Sequence, residues 1–274
     1  MIRIGCIQSN PIFGDIDSNL KKFKEFVSEA DADLLVFPEL AFTGYFFTSS
    51  QQAKQYSQPV DGMLAKKIRQ IAKEHNVAIV TGFLEEANGS LYNSAIAIDR
   101  NGKLVGHYRK VHLFYYEKVV FEIGDHGFPV CVIEVRNSEK IKLGLQICYD
   151  WRFPEVTRSL AIKGAEVVAI PSNIVTTTGM LLDTLKVRAF ENKVIVAFAD
   201  RIGIEKAEID DKSEELVFRG ESCIINYNGN LISLCSNHEE SIAYADVLTE
   251  ETRSKIINKF NNIISDRQED IYFT

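Results

Sequence analysis

The sequence has no C-x-x-C pair, no cluster of lysines and arginines, and no apolar run approaching the roughly 18 residues that would cross a membrane. Each absence removes a class of protein. The five cysteines, at 6, 131, 148, 223 and 235, are odd in number and widely spread. Neither a disulfide framework nor a zinc knuckle follows from such spacing. A net charge of -7 without a basic patch argues against a phosphate-tracking surface, so nucleic acid and membrane are not expected partners. The first residues, MIRIGCIQ, enter an alternating strand at once, without the basic start and long apolar stretch of a signal peptide, which predicts a cytoplasmic protein. No G-x-S-x-G elbow, Walker loop, G-x-G-x-x-G or H-E-x-x-H occurs. A serine hydrolase, a nucleotide enzyme and a zinc hydrolase therefore lack support, and no cofactor or metal is implied.

What is present is an ordinary globular composition: 46% apolar, 10% aromatic and 25% charged residues in a chain of 274. Periodicity predicts a strand over 2–8 and then a helix in DSNLKKFKEFVSEA behind an Asp/Ser cap. A buried strand is predicted over 33–39, a helix in DGMLAKKIRQIAKEHN, and a strand over 77–83. A hairpin follows, turning at Asn101-Gly102. The second half repeats the order, with strands over 141–147, 166–172 and 194–200 separated by helices in PEVTRSLAIKGA and LLDTLKVRAFENK. Three closing strands are expected near 216–226, 230–236 and 241–246, then a last helix near 249–263. Strands alternating with helices, plus hairpins, predict an α/β fold: a four-layer α-β-β-α sandwich of two mixed sheets with helices outside. No linker composition divides the chain, so one domain over 1–274 is expected, with the apolar-ended tail, about 264–274, docked on the body or on a partner subunit.

Chemistry in such folds gathers where strands end at their carboxyl side. Glu39 closes LLVFPE and Cys148 closes LGLQIC, each directly after an apolar run where packing alone gives the residue no purpose. Lys110 follows the strand that begins near Lys103, among Val111, Leu113 and Phe114. Facing a thiol, its charge would favour thiolate. Glu117 is either a second pocket carboxylate or a loop residue. Glu, Lys and Cys together form a workable nucleophilic set: the sulfur attacks, the carboxylate moves protons, and the ammonium stabilises the oxyanion. The other four cysteines lie in apolar or strand-like runs and read as small hydrophobes. A papain-like pair would require one of His75, His107, His112, His126 or His238, but its local cysteine setting is missing, and His112 reads as a structural histidine. Phe42, Tyr45, Phe46, Phe114, Tyr115, Tyr116 and Trp151 flank the proposed site, with Arg152 and Arg201 as the nearest cations.

The stretches FPELAFTGY, YRKVHLFYYEKVVFEIGD and GLQICYDWRFPE, in that order, resemble the motifs of the carbon-nitrogen hydrolase family, the nitrilase superfamily. The resemblance covers nearly the whole chain. It implies the α-β-β-α fold and a Glu-Lys-Cys triad on Glu39, Lys110 and Cys148, with Glu117 as the second pocket carboxylate. It also implies an oxyanion held by Lys110 and the backbone N–H of Tyr149, Asn173 lining the pocket, no metal or organic cofactor, and a homodimer or larger homo-oligomer. Cys148-Tyr149-Asp150-Trp151 looks more like the amide-hydrolysing branches than the Cys-Trp-Glu of typical nitrilases. The implied activity is hydrolysis of a small, mostly neutral aliphatic amide to acid and ammonia through a thioester, with Tyr45 among the substrate contacts. Nitrile hydrolysis and N-carbamoyl-amine hydrolysis are the alternatives. An intact Glu39, Lys110 and Cys148 weighs against a catalytically silent scaffold.

Overall fold

The computed structural model describes residues 1–175 and 179–272. The first half contributes strands β1 (Ile2–Gln8), β2 (Leu34–Val36), β3 (Ala78–Ala87), β4 (Ser90–Ile98) and β5 (Leu104–Arg109). Its helices are α1 (Ile16–Glu29), α2 (Ser50–Lys54), α3 (Met63–His75) and α4 (Glu117–Val120). The second half contributes β6 (Val130–Glu134), β7 (Lys140–Leu145), β8 (Val167–Ser172), β9 (Ile195–Asp200), β10 (Ile202–Ile209), β11 (Lys212–Arg219), β12 (Cys223–Ile225), β13 (Leu231–Leu234) and β14 (Ser241–Val247). Helices α5 (Pro154–Ile162) and α6 (Leu181–Asn192) accompany them.

Two six-stranded mixed sheets result, ordered β14-β1-β2-β3-β4-β5 and β13-β12-β9-β8-β7-β6. Each has three parallel strands, β1-β2-β3 in one and β7-β8-β9 in the other, flanked by one antiparallel strand on one side and two on the other. The repeat of order visible in the two halves of the sequence is thus a repeat of sheet construction. Strand alternation explains the layering. Ile4, Cys6, Leu34, Val36 and Val80 join the apolar cluster shared with the second sheet, while Leu35, Phe37, Ile79 and Ile96 pack on Phe23 and Val27 of α1 and Leu64 and Ile68 of α3. The parallel strands are buried on both faces, as crossover helices require. No helix among the described residues is long and apolar enough to cross a membrane.

Four expectations need revision. The strand expected at 216–226 is two strands in different sheets: β11 pairs only with β10, and the chain turns at Gly220 and Glu221, both at positive φ, before β12 joins the second sheet. β2 is shorter than 33–39, which releases Pro38 and Glu39 from the ladder. The cap of α1 is Asp15, whose side chain accepts from the Ser18 N–H, two residues before the expected cap. The helix expected at 249–263 does not form. A 3-10 turn at Thr249–Thr252 is followed by irregular chain. There Asn258 Oδ1 accepts from the N–H groups of Phe260 and Asn261, and Asn262 Oδ1 accepts from those of Ile264 and Ser265. Such local side-chain bonds compete with the helical ladder, and they win over the apolar spacing.

Of the tail expected to dock, residues 273–274 lie outside the described residues. Upstream, Lys255 Nζ donates to the carbonyls of Asn192 and Lys193, Ile264 packs on the main apolar cluster, and Arg267 and Tyr272 share a groove with Arg158 and Ile162 of α5.

Candidate active site

The carboxyl ends of β2, β7 and β8 converge with that of β5, and each delivers one polar side chain. Past β2 the chain carries Glu39 on a tight turn in which Leu40 takes a φ of 46°. Past β7, Cys148 opens a 3-10 turn, Cys148–Arg152, at a φ of 43°. Left-handed backbone at a non-glycine residue costs about 1–3 kcal/mol and persists only where its surroundings enforce it. Both outliers sit beside chemistry-bearing residues. α5 does begin at Pro154, as the sequence suggested, but the 3-10 turn stands between it and the sulfur. Cys148 is buried and is one of the residues that line a cavity.

Close approach makes the Glu39 turn possible. Gly82 on β3 lies under it, and a Cβ at that position would meet Glu39 Cα at 2.6 Å and Leu40 N at 2.6 Å. Backbone atoms cannot yield as a side-chain tip can. Gly82→Ala is therefore expected to displace Glu39, lowering activity at least about tenfold and stability by about 1–3 kcal/mol, the usual range for overpacking. Steady-state kinetics and thermal melting check this, and an unchanged kcat would refute it.

Lys110, directly after β5, is the hub of the polar cluster. Its Nζ donates to Glu39 Oε1 at 2.6 Å and to Glu117 Oε1 at 2.7 Å, with all three side chains essentially excluded from solvent. Asn93 Nδ2 on β4 also donates to Glu39 Oε1, at 2.6 Å. Glu117, on α4, accepts from the Tyr45 hydroxyl at 2.7 Å and from the Phe114 N–H at 3.2 Å. Asn173, after β8, donates from Nδ2 to the Glu39 carbonyl at 2.9 Å. Glu39 Oε2 is buried with no hydrogen-bond partner among the described residues.

Two carboxylates around one ammonium leave this buried cluster with an excess negative charge. Burial pushes the Glu39 carboxyl up to about 7, opposed by Lys110 and reinforced by Glu117. Burial alone would drive the Lys110 proton off, but Glu117 and Glu39 more than compensate and hold it charged. For Cys148, burial raises the thiol first and the Glu39 charge raises it further, against the weaker pull of Lys110 and a hydrogen bond from the Asn173 backbone N–H. The sequence-level expectation that the ammonium holds this sulfur as a thiolate is thus reversed. Lys110 is already committed to two carboxylates, and burial together with the Glu39 charge favours the thiol over the thiolate at Cys148.

A second cluster ties the lysine segment to the cysteine turn. The fully buried Asp150 accepts from the Tyr108 hydroxyl at 2.7 Å and from the Ile147 N–H at 2.8 Å, and it bonds His112 Nδ1 at 2.7 Å. Stacking of His112 on Phe153, with centroids 3.7 Å apart, closes the clamp. His112 is thus structural, as its sequence setting indicated.

The cavity at Cys148 measures about 290 Å³, and Tyr149 and Asn173 are among the residues that line it. Tyr45 does not. It lies behind Glu117 and orients that carboxylate, because its neighbour Phe46 and its own N–H are pinned by Glu205. Arg201 is likewise withdrawn, buried against Glu205 and lying 4.0 Å over the Phe218 ring. Asn93 and Asp150 escaped the sequence reading. The one available signal was a polar Asn-Ser pair inside the apolar strand LYNSAIAID. The remaining cysteines are free; Cys6, Cys223 and Cys235 are buried and Cys131 is partly so, and burial raises all four thiols.

The sequence profile of the family described as carbon-nitrogen hydrolase matches residues 3–256. A protein of Pyrococcus abyssi named nitrilase is 37% identical over 277 residues, covering 100% of both chains. An N-carbamoylputrescine amidase of Solanum lycopersicum is 30% identical, over 94% of this chain and 89% of that one. Among solved structures, an amidase mutant from Nesterenkonia sp., carrying the acetamide moiety of fluoroacetamide on its active site cysteine, superposes with a TM-score of 0.79. It is 26% identical over 98% of this chain and 94% of that chain.

Proposed function

Because this chain belongs to the carbon-nitrogen hydrolase family, we propose that it hydrolyses a small aliphatic amide to the carboxylic acid and ammonia through a thioester on Cys148. The observation that carries this reading is the unpartnered Glu39 Oε2 in a buried cluster whose other oxygen is held by Lys110 and Asn93. One carboxylate oxygen is anchored and the other is left to move protons. Glu39 takes the Cys148 proton as the sulfur adds to the amide carbonyl. Lys110 and the Tyr149 backbone N–H hold the oxyanion, in a site dry enough for the ammonium charge to count. Glu39 then protonates the departing nitrogen, ammonia leaves, and water deprotonated by the same carboxylate cleaves the thioester and regenerates the thiol. Glu117 keeps Lys110 charged while Tyr45 keeps Glu117 in place.

A nitrile would pass through a thioimidate at the same sulfur, and the full-length relative named nitrilase favours that as the second reading. A panel of amides, nitriles and N-carbamoyl compounds, scored by ammonia release with iodoacetamide-alkylated protein as the blank, separates the two. Turnover confined to nitriles would overturn the first. The apolar side chains exposed on α6, Val187 and Phe190, and on the segment before the tail, Ile257 and Phe260, support association of two or more copies.

The raised Glu39 pKa sets the sign of the pH dependence. Only the carboxylate accepts a proton, so activity is present above the folded-state pKa and is lost as pH falls through it. For a neutral amide, kcat/KM is expected to decline about tenfold per pH unit below about 7. A flat profile between about pH 5 and 8 would contradict the assignment of Glu39 as base.

A further inference from the structure

Four cations that the sequence scatters gather at a second cavity, of about 430 Å³, far from the catalytic cluster. Lys140 and Lys142 come from the amino end of β7, and Arg253 and Lys255 from the chain that follows the Thr249–Thr252 turn. Glu166 is the only acid among the described residues on this wall, and both its oxygens are taken. Its Oε2 accepts the Lys142 backbone N–H at 2.9 Å, and its Oε1 is held by Arg253 Nε. Of the other carboxylates whose charge reaches these cations, Glu134 is paired with Arg100 at 2.7 Å and Glu139 with the amino terminus at 3.8 Å, while Glu250 stands on the turn. Lys140 and Lys142 form no ion pair among the described residues. Lys255 Nζ donates to the carbonyls of Asn192 and Lys193 at 3.0 and 2.8 Å, which leaves one of its three N–H bonds. Burial, and then the charges of Lys193 and Arg158, bring its pKa down to about 8 against the pull of Glu166, as befits an ammonium short of negative charge. Gly164, at a φ of 87°, keeps the wall open, because a Cβ there would stand 3.4 Å from Lys142 Nζ.

Four cations facing one committed carboxylate repel one another, and an anion of more than one charge relieves that repulsion. A phosphate group carries about −1.5 to −2 near neutral pH and offers three acceptor oxygens. Ammonium heads arriving from separate directions act as point charges on those oxygens, and a guanidinium adds its fork. A long polyanion is disfavoured, because the protein as a whole carries a net charge of -7. The volume falls within the range of small-molecule pockets. We propose that this cavity binds the phosphate group of a small molecule, with Lys140, Lys142, Arg253 and Lys255 as the cations that hold it. Bound there, the anion bridges β7 and the segment 252–255 and ties that irregular chain to the second sheet. The cavity stands at the amino ends of the parallel strands β7 and β8, whereas Cys148 and Asn173 follow their carboxyl ends, so its occupant leaves the active site open.

The test is calorimetric titration of the full chain at fixed ionic strength, with inorganic phosphate, pyrophosphate and glycerol 3-phosphate as probes and glutarate and chloride as controls. At least one phosphate probe is expected to bind once per chain and, at ten times its Kd, to raise the melting temperature by about 2 °C or more. Lys140 and Lys142 are exposed, so the double variant Lys140→Gln/Lys142→Gln should melt and turn over as the parent does. Its affinity for the probe should fall at least about tenfold, through the loss of two charged donors. Lys140→Arg/Lys142→Arg, which keeps both charges, should retain binding. Pyrophosphate should also slow amide hydrogen exchange over 249–256 and leave the rate of Cys148 alkylation by iodoacetamide unchanged. Tighter binding of glycerol 3-phosphate than of inorganic phosphate identifies an organic phosphate as the occupant, and the reverse order identifies the free ion; both support the site. The proposal is overturned if no phosphate probe binds, if glutarate or chloride binds as well as they do, if the Gln double variant keeps the parent affinity, or if the probe protects Cys148.

Discussion

Cys148→Ala is expected to release no ammonia from any amide while keeping the fold. The sulfur is the nucleophile of the first step in the proposed scheme, and without it no thioester forms for water to cleave. Without it, covalent catalysis is lost and only binding remains, so the expected loss reaches the assay background. The structural cost is small. Cys148 is buried beside a cavity, and alanine removes one atom without adding volume, which costs on the order of 1 kcal/mol. Quenching turnover in acid and weighing the intact protein supplies the mechanistic check. The parent enzyme should carry the mass of an acyl group and the variant none. Ammonia release by Cys148→Ala above the level of alkylated protein would end the thioester reading.

Lys110→Met is expected to produce the second largest effect, and to act on two quantities at once. For the reaction, it removes a donor to the oxyanion, a loss of about 10²–10³ in kcat. For the fold, it leaves Glu39 and Glu117 facing each other in a dry interior with their common ammonium gone. Breaking a buried pair by removing one partner costs about 3–5 kcal/mol. The two carboxylates can lower that cost only by taking up a proton, which drives the Glu39 carboxyl above its already raised value and leaves the base protonated at neutrality. The residual activity should therefore recover partly on raising the pH, with the acid limb of the profile moved upward. Adding Glu117→Gln to Lys110→Met should restore part of the stability lost, since it removes one of the two opposed charges. Denaturant unfolding and pH profiles of the single and double variants give both readouts. A Lys110→Met protein as stable and as active as the parent would show that the ammonium neither holds the cluster nor assists the chemistry.

The same electrostatics show where sequence reading reached its range. Glu39 and Cys148 could be picked out because each directly follows an apolar run where packing alone gives the residue no purpose, and Lys110 because Val111, Leu113 and Phe114 flank it. What that reading could not supply was who is paired with whom. A lysine near a cysteine suggests a stabilised thiolate, but here the lysine is taken by Glu39 and Glu117, residues 71 and 7 positions away. Tyr45 and Arg201 show the same limit. Both stand beside the right motifs, yet Glu205, projecting from β10, pins the Tyr45 backbone and claims the Arg201 guanidinium, and β10 lies in a stretch to which the sequence reading assigned no strand.

By itself the sequence determined the layer architecture, the repeated strand order of the two halves, and the residue types that meet at the strand ends. Strand alternation, helical spacing and turn chemistry are local properties that each segment carries with it. Only the tertiary structure decided which carboxylates hold Lys110, how burial shifts the Cys148 thiol, the clamp through Asp150 and the place of Arg152 on the cavity wall. Those are sums over groups distant in the chain, and burial sets the dielectric in which they are added. The C-terminal segment marks the boundary between the two: its spacing read as a helix, and the asparagine side chains bonding their own backbone made it irregular.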